Sequence, residues 1–368
     1  MIRIAFVIPT LDQSGAERQL TLLAQSLPRD LYQTHVFALN RGGYFADELR
    51  SAGIPVTILG KRFRFDPLTW YRLRKELSRF HPDIVQSYLF SANSYVRLPG
   101  ICPKGCRIVV SERCVDSWKS SWQLKLDRWL VSRTDAMTAN SNSVAEFYQA
   151  VGVPGNLLHV IPNSIPAPSS DVPRDRTSIQ KEFGLDEDCR LIGYVGRLAR
   201  QKRLEDLIWA FQLLRQVVNG SRLILIGDGP ERDALADVAI KLDCRNLITF
   251  TGHRDDADRL MEGLDVFCLA SEFEGMSNSL MEAMAMGIPC VASNIPSNRE
   301  LIRSEENGLL FEPGNAPDLM KQLRRVLDDP DLAIRLGEAG HQQIVGNHSV
   351  DRMVSEHCRL YESLLLQN

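Results

Sequence analysis

The chain has 368 residues, 44% hydrophobic and 24% charged, and its 43 Lys and Arg against 46 Asp and Glu leave a formal net charge of -3 at pH 7. That is too long for one ordinary core and long enough for two domains of similar size, each burying most of its apolar surface. Near-balanced charge without a nucleic-acid motif argues against nucleic acid as a partner, and no window reaches the roughly 20 apolar residues of a membrane span, so the chain is expected in the cytoplasm, free or held peripherally on the inner face of the membrane.

In chain order, MIRIAFVIPT is a short apolar run that turns polar at Asp12, which predicts a first strand and not a signal peptide. TLDQSGAERQL follows, with Gly15 opening a helix where a backbone amide can approach a phosphate or an acceptor. The runs THVFALN, VTILG, DIVQSY, RIVVS, AMTAN and LHVIP continue the strand pattern, with helical segments between them. KRFRFDPLTWYRLRKEL, Lys61 to Leu77, mixes Lys and Arg with Phe63, Phe65 and Trp70; it reads either as contact with a membrane surface or lipid-linked acceptor, or as the solvated basic face of a helix. SERCVDSWKSSW follows the RIVVS strand, and its Glu112 and Arg113 are candidates for acceptor or sugar contact, the alternative being an ion pair at the surface end of a strand. Residues 1 to 170 hold 20 Lys and Arg against 13 Asp and Glu, whereas the remainder holds 23 against 33. A basic half beside an acidic half suggests an anionic partner for the first: a phosphate-bearing acceptor or an acidic membrane surface. The eight Cys are scattered, several within apolar runs, and are expected to be reduced and buried; Cys102, Cys106 and Cys114 lack a fourth ligand at any common zinc spacing.

PNSIPAPSSDVPRD, Pro162 to Asp175, is rich in Pro and Ser and reads as the linker. Beyond it RLIGYVG, RLILIG, LITFTG, VFCLA, PCVAS and GLLF alternate with helices, so both halves should form parallel sheets with helices on both faces. GYVGRLARQK places a strand ending at Gly196, a basic loop, then a helix from Arg203; Arg197 offers a planar fork and Lys202 a mobile point charge to a diphosphate. IGDGPER has Arg232 where a dinucleotide fingerprint needs a small residue, which argues against a dehydrogenase. The D-x-D within Asp255 to Asp258 reads as an acidic first helical turn and not as a metal site, and the seven His fall at no metal-ligand spacing. EGMSNSLMEAMAMG carries two carboxylates eight positions apart across a loop-to-helix junction, Glu274 in the loop and Glu282 on the helix, with Ser277, Asn278 and Ser279 at the helix start. Free amides flanked by two hydroxyl-binding carboxylates suit a ligand that is part phosphate and part sugar; the alternative is an amphipathic helix bearing two solvated Glu.

The E-x7-E of Glu274 and Glu282, the Gly196–Arg197 pair with Lys202 five residues on, VIPNSI, and Gly15-Ala-Glu together resemble the retaining, two-domain glycosyltransferases of family 4 (group 1). The resemblance covers most of the chain. It implies an α/β GT-B fold, two Rossmann-like domains with parallel sheets facing a central cleft: an acceptor-side domain over 1–166, onto which a final helix near 349–366 packs back, and a nucleotide-sugar domain over 167–348. It further implies that Glu274 holds donor-sugar hydroxyls, Glu282 holds the ribose, and the backbone of Gly275, Met276, Ser277, Asn278 and Ser279 holds the diphosphate. Gly15 and Gly196 would approach the donor, Arg197 and Lys202 would neutralise the leaving group, and His253 and Arg254, at a strand end, would contact the base. Transfer would need no metal and no cofactor, the nucleotide sugar (a UDP-sugar) being a substrate and a glycan or lipid-linked molecule the acceptor.

The sequence departs from the family pattern in two places. Ser14 stands where relatives have a first Gly, and Gln86, Ser87 and Tyr88 stand where many have His residues. The second departure motivates an alternative reading, a nucleotide-sugar-binding protein without transfer activity; a GT-B epimerase is a further alternative, against which the E-x7-E argues.

Overall fold

The computed structural model describes residues 1–116, 119–166 and 176–366, so the stretch 167–175 of the expected linker lies outside the described residues. The chain forms two compact units, Met1–Ser164 with Val350–Asn368, and Ile165–Ser349. Each of the thirteen apolar runs read as strands forms one.

In the first unit β1 (Ile2–Ile8), β2 (Tyr32–Ala38), β3 (Val56–Ile58), β4 (Ile84–Tyr88), β5 (Arg107–Glu112), β6 (Ala136–Ala139) and β7 (Leu158–Val160) make a sheet ordered β3-β2-β1-β4-β5-β6-β7. Every neighbouring pair is parallel. The two-residue period of β1 divides the core: Ile4, Phe6 and Ile8 pack with Leu20 and Leu23 of helix Gly15–Ser26 and with Leu360 and Tyr361 of helix Val350–Leu366, while Ala5 and Val7 pack with Leu73 and Leu77 of helix Pro67–Phe80 and with Val96. Helix Pro67–Phe80 starts where the Asp66 carboxylate accepts from Leu68 N and Thr69 N, with Pro67 preset for the first turn, and ends at His81 in the left-handed region.

In the second unit β8 (Arg190–Val195), β9 (Ser221–Ile226), β10 (Ile248–Gly252), β11 (Val266–Leu269), β12 (Cys290–Ser293) and β13 (Leu309–Phe311) form an all-parallel sheet ordered β10-β9-β8-β11-β12-β13. One continuous core covers both of its faces, with Phe211, Phe267 and Leu280 fully buried. Both sheets reverse their strand order once, between β1 and β4 and between β8 and β11. All eight cysteines are free thiols, four buried and four only partly so. No helix among the described residues is long and apolar enough to cross a membrane.

Tyr361 is fully buried and donates a hydrogen bond to Gln86 Oε1 from a position 275 residues away. Tyr361→Ala empties this position, and denaturant unfolding is expected to show a loss of about 3 to 5 kcal/mol, as for other large aromatic truncations.

Candidate functional site

Ligand crevices in open parallel sheets lie beyond the carboxyl ends of strands where the order reverses, because the two adjacent connections leave toward opposite faces. In the second unit those ends are Val195 of β8 and Leu269 of β11. From β8 the chain passes Gly196 and Arg197 to a short 3-10 helix, Arg200–Lys202. From β11 it runs through Ser271 to Glu274. The two loops are tied by Glu272 N, which donates to Gln201 O at 2.8 Å. Lys202 Nζ therefore meets Glu274 Oε1 at 2.5 Å, and Ser271 Oγ donates to the same oxygen at 2.6 Å. The lysine and glutamate side chains are only 16% and 9% exposed, so their attraction is far less screened than at an open surface.

Behind this pair stands a chain of oriented polar groups that the sequence pattern did not single out. Ser293 Oγ donates to Ser271 O at 2.5 Å, and Asn298 Nδ2 donates to Ser293 O at 2.9 Å. Tyr194 OH donates to Arg197 O at 3.0 Å, its phenol pushed well up by burial and then by the Glu274 carboxylate. Gly227 and Gly229 settle the IGDGPER loop against the same place: a Cβ on Gly227 would stand 2.1 Å from Gly196 O, and one on Gly229 2.3 Å from Leu198 O. The rejected dinucleotide motif is thus a backbone buttress for the Arg197 loop.

Helix Asn278–Ala285 begins with Ser277 Oγ accepting from Leu280 N at 3.4 Å. Gly275 and Met276 precede it as buried residues; Asn278 and Ser279 are half-buried, and Ser279 Oγ shares a hydrogen bond with Ser277 Oγ. Glu282 is on the following turn and is 6% exposed. With Glu274 at 8%, neither carboxylate is the solvated surface group of the alternative reading. Arg197 is exposed and has no side-chain partner among the described residues. His253, beyond β10, lies 3.5 Å from Asp255, both well exposed. Arg254 spends its donors on Asp256, at 2.7 and 2.8 Å, and on Glu182 at 2.6 Å, so contact with a base would require it to leave three carboxylate bonds. Asp256 also pairs with Arg259, and Asp258 falls in the first turn of helix Ala257–Glu262. Within the D-x-D segment Asp256 is engaged with Arg254 and Arg259, and among the described residues no group of three or more His, Cys, Asp and Glu is placed to hold a metal ion.

In the first unit Gly15 opens helix Gly15–Ser26 after Ser14 and is exposed, with Glu17 in its first turn. Thr10 Oγ1 donates to Glu17 Oε1 at 3.2 Å, while burial pushes the Glu17 carboxyl up. Gln86, at the position expected for a His, is fully buried: it accepts from Tyr361 and donates to Tyr88 OH and Ser111 Oγ, each at 2.9 Å. Tyr88 is 2% exposed and lies under the Arg113 guanidinium, 6.0 Å from ring to Cζ. Arg113 donates to Asn163 Oδ1, and burial lowers its pKa to about 10.

Glu112 is a correction to the surface alternative. It is 2% exposed and belongs to a buried cluster of three carboxylates and two cations. Asn93 Nδ2 donates to it at 3.0 Å, and Lys119 Nζ stands 3.7 Å away while binding Asp116 at 2.9 Å and Asp127 at 3.0 Å. Arg97 donates to the other Asp127 oxygen at 2.6 Å. Burial pushes the Glu112 carboxyl up to about 7; Lys119 pulls it down, and Asp116 and Asp127 push it up again. The sequence set Glu112 beside Arg113, yet the structure separates them into different networks, as side chains on alternate faces of a strand end must be.

Known proteins resemble this chain over both of its units. A model of glycosyl transferases group 1 matches residues 175–343, and one of glycosyltransferase family 4 matches residues 13–167. The chain is 27% identical to the N-acetyl-alpha-D-glucosaminyl L-malate synthase of Bacillus anthracis over 65% of its own length and 62% of that protein's. It is 26% identical to the 2-deoxystreptamine glucosyltransferase of Streptomyces kanamyceticus over 65% of its length and 63% of the relative's. The chain thus spans less than two thirds of the length of these curated relatives. Among solved structures, Anabaena Alr3699/HepE in complex with UDP-glucose superposes with a TM-score of 0.87 over 99% of this chain and 100% of that one, at 22% identity. With the two parallel Rossmann-like sheets, that likeness shows the GT-B fold.

The buried acid cluster predicts a pH dependence of stability. The folded-state pKa of Glu112, about 7, lies above its ordinary 4.5, so its contribution is fully present below the lower value and is lost as pH rises through the higher one. Unfolding free energy should fall by on the order of 3 kcal/mol between pH 5 and 8, and Glu112→Gln, which keeps the shape, should flatten that slope. An unchanged slope in the variant would assign the titration elsewhere.

Proposed function

The chain belongs to the family 4 (group 1) glycosyltransferases, and from that premise we propose that it moves a sugar from a UDP-sugar to a cell-surface glycan or lipid-linked acceptor in the cytoplasm, with retention of anomeric configuration and without a metal. The observation that carries the reading is the Lys202–Glu274 pair at the strand-order reversal, next to a helix start whose Ser277 is already turned to cap it. UDP is the nucleotide proposed because the similar Anabaena protein holds UDP-glucose.

In this reading the second unit binds the donor and the first takes the acceptor. Glu282 holds the ribose, the backbone from Gly275 to Ser279 holds the diphosphate, and Glu274 holds sugar hydroxyls. Gly196 keeps the β8 turn open to the phosphates, Gly15 does the same on the acceptor side, and His253 lies toward the base, to be joined by Arg254 only when it leaves Asp256 and Glu182. Charge that develops on the departing diphosphate is met by Arg197, which has no side-chain partner among the described residues, and by Lys202, which shares its ammonium with Glu274. The leaving phosphate itself takes the acceptor proton on the same face of the sugar, so no side-chain base is required. Arg113 is the acceptor-side candidate with donors near the end of β5, whereas Glu112 is held in the separate buried cluster by Asn93 and Lys119. A second reading, donor binding without transfer, is favoured by the burial of Gln86 and Tyr88 where relatives carry His; release of UDP from labelled donor, with or without acceptor, separates the two.

Arg197→Ala and Lys202→Ala are each expected to lower kcat by roughly 100- to 1,000-fold, about 2.7 to 4 kcal/mol of barrier; melting temperature should change little in Arg197→Ala and fall in Lys202→Ala, which leaves the buried Glu274 carboxylate without its cation. Near-normal turnover in both would remove them from the site. EDTA should leave turnover intact, whereas a loss restored by magnesium or manganese would return a metal to the mechanism. The carboxylates should separate by calorimetry: Glu282→Gln weakens UDP and UDP-sugar alike, while Glu274→Gln spares UDP and impairs only the intact donor, hydrogen bonds to charged groups contributing about 1.5 to 3 kcal/mol. Equal weakening of UDP in both variants would refute this division.

A further inference from the structure

The segment 61–75 contains six cations and one acid, Asp66. That acid is 7% exposed and spent on capping, accepting from Arg62 N, Leu68 N and Thr69 N. On helix Ser121–Leu130 the sole acid, Asp127, is likewise buried against Arg97 and Lys119, while Lys125 and Arg128 are exposed. In both segments the acids point inward, so the exposed charge is wholly positive.

Large apolar side chains share this surface. Phe63 and Phe65 are 69% and 63% exposed, and Leu68 and Tyr71 on the adjoining helix 53% and 58%. Leu68, Tyr71 and Lys75 follow one another at helical spacing on the side away from the buried Thr69, Leu73 and Leu77. Helix Ser121–Leu130 repeats the arrangement with Trp122, Lys125 and Trp129, whose indoles are 47% and 60% exposed. The two stripes are joined: the Arg64 guanidinium lies 4.6 Å from the Trp122 ring centre, Trp122 packs edge-on against Phe90 at 6.0 Å, and Phe65 lies 6.3 Å from Tyr95. A solvated basic face accounts for the cations but not for six large apolar groups held in water among them.

We propose that this face, formed by residues 61–75 and the outer side of helix Ser121–Leu130, is a docking surface for a bilayer containing anionic lipid. Phe63, Phe65 and Leu68 enter the boundary between headgroups and acyl chains, the amphipathic tryptophans sit at headgroup level, and the interleaved Arg and Lys meet lipid phosphates while their stems remain in the apolar layer. Charge complementarity selects this occupant. An acidic protein or a nucleic acid would satisfy the cations, but Leu68 and the paired phenylalanines have no phosphate or base edge to engage, and no nucleic-acid-reading motif accompanies them. The proposal does not depend on the donor chemistry.

The test is co-sedimentation of the full chain with vesicles of phosphatidylcholine alone and with an equal mixture of phosphatidylcholine and phosphatidylglycerol. Binding is expected to the mixture only, to weaken at high salt, and to shift tryptophan emission to the blue. At about 1 kcal/mol per cation near an anionic surface, the triple variant Arg62→Gln, Arg64→Gln, Lys75→Gln should bind about a hundredfold more weakly. Phe63→Ser with Phe65→Ser should lose sedimentation while keeping the melting temperature and the UDP-induced shift of the parent, since both rings are already exposed. Equal sedimentation with both vesicle types, unchanged binding by both variants, or retention of single-stranded RNA but of neither vesicle overturns the proposal.

Discussion

A parallel sheet sends every strand's outgoing end to the same edge, and where the strand order reverses the two neighbouring connections part toward opposite faces. Between β8 and β11 this leaves a place that neither connection covers, and it is there that Lys202 and Glu274, 72 residues apart in sequence, come into contact. The rest of the second unit's site follows from this. Ser271 holds the carboxylate, Ser293 and Asn298 hold Ser271, and the glycines after β9 let a second loop lie close beneath the first. A side chain fixed by several partners loses little freedom on meeting a ligand, so such an arrangement is organised before the ligand arrives.

The first unit has the same topology and fills its strand ends differently. Gln86 and Tyr88 of β4 are drawn into the packing beneath helix Val350–Leu366 by Tyr361, and the end of β5 enters a cluster where two cations face three carboxylates. Burying charge costs desolvation that Coulomb attraction only partly offsets. Burial raises the Glu112 pKa, Lys119 offsets part of that, and the neighbouring Asp116 and Asp127 raise it further. Immediately after β4, Leu89 adopts a left-handed backbone at φ 67°, a conformation that a branched residue tolerates only where surrounding packing imposes it.

The same burial of acids shapes the outer surface. Asp66 and Asp127 turn inward to cap a helix and to pair with buried cations, which leaves Arg and Lys outermost without any excess of basic residues in the chain as a whole. Local surface charge is thus a consequence of which partner each carboxylate found inside.

Strand runs, the alternation of strand and helix, the family resemblance and the GT-B fold were all legible in the sequence, because apolar periodicity and short motifs are local properties of the chain. Glu274 in a loop and Glu282 on a helix capped by Ser277 were legible for the same reason. Ser271, Ser293 and Asn298 carried no such signal: isolated polar residues at strand ends look alike until the strand order is known. Nor did the sequence show that Glu112 leaves the surface, that Arg254 is tied to Asp256 and Glu182, or that Trp122 and Arg64 meet. Those facts depend on which distant segments lie side by side, and only tertiary packing, through burial and the pairing of polar groups with partners far along the chain, decides that.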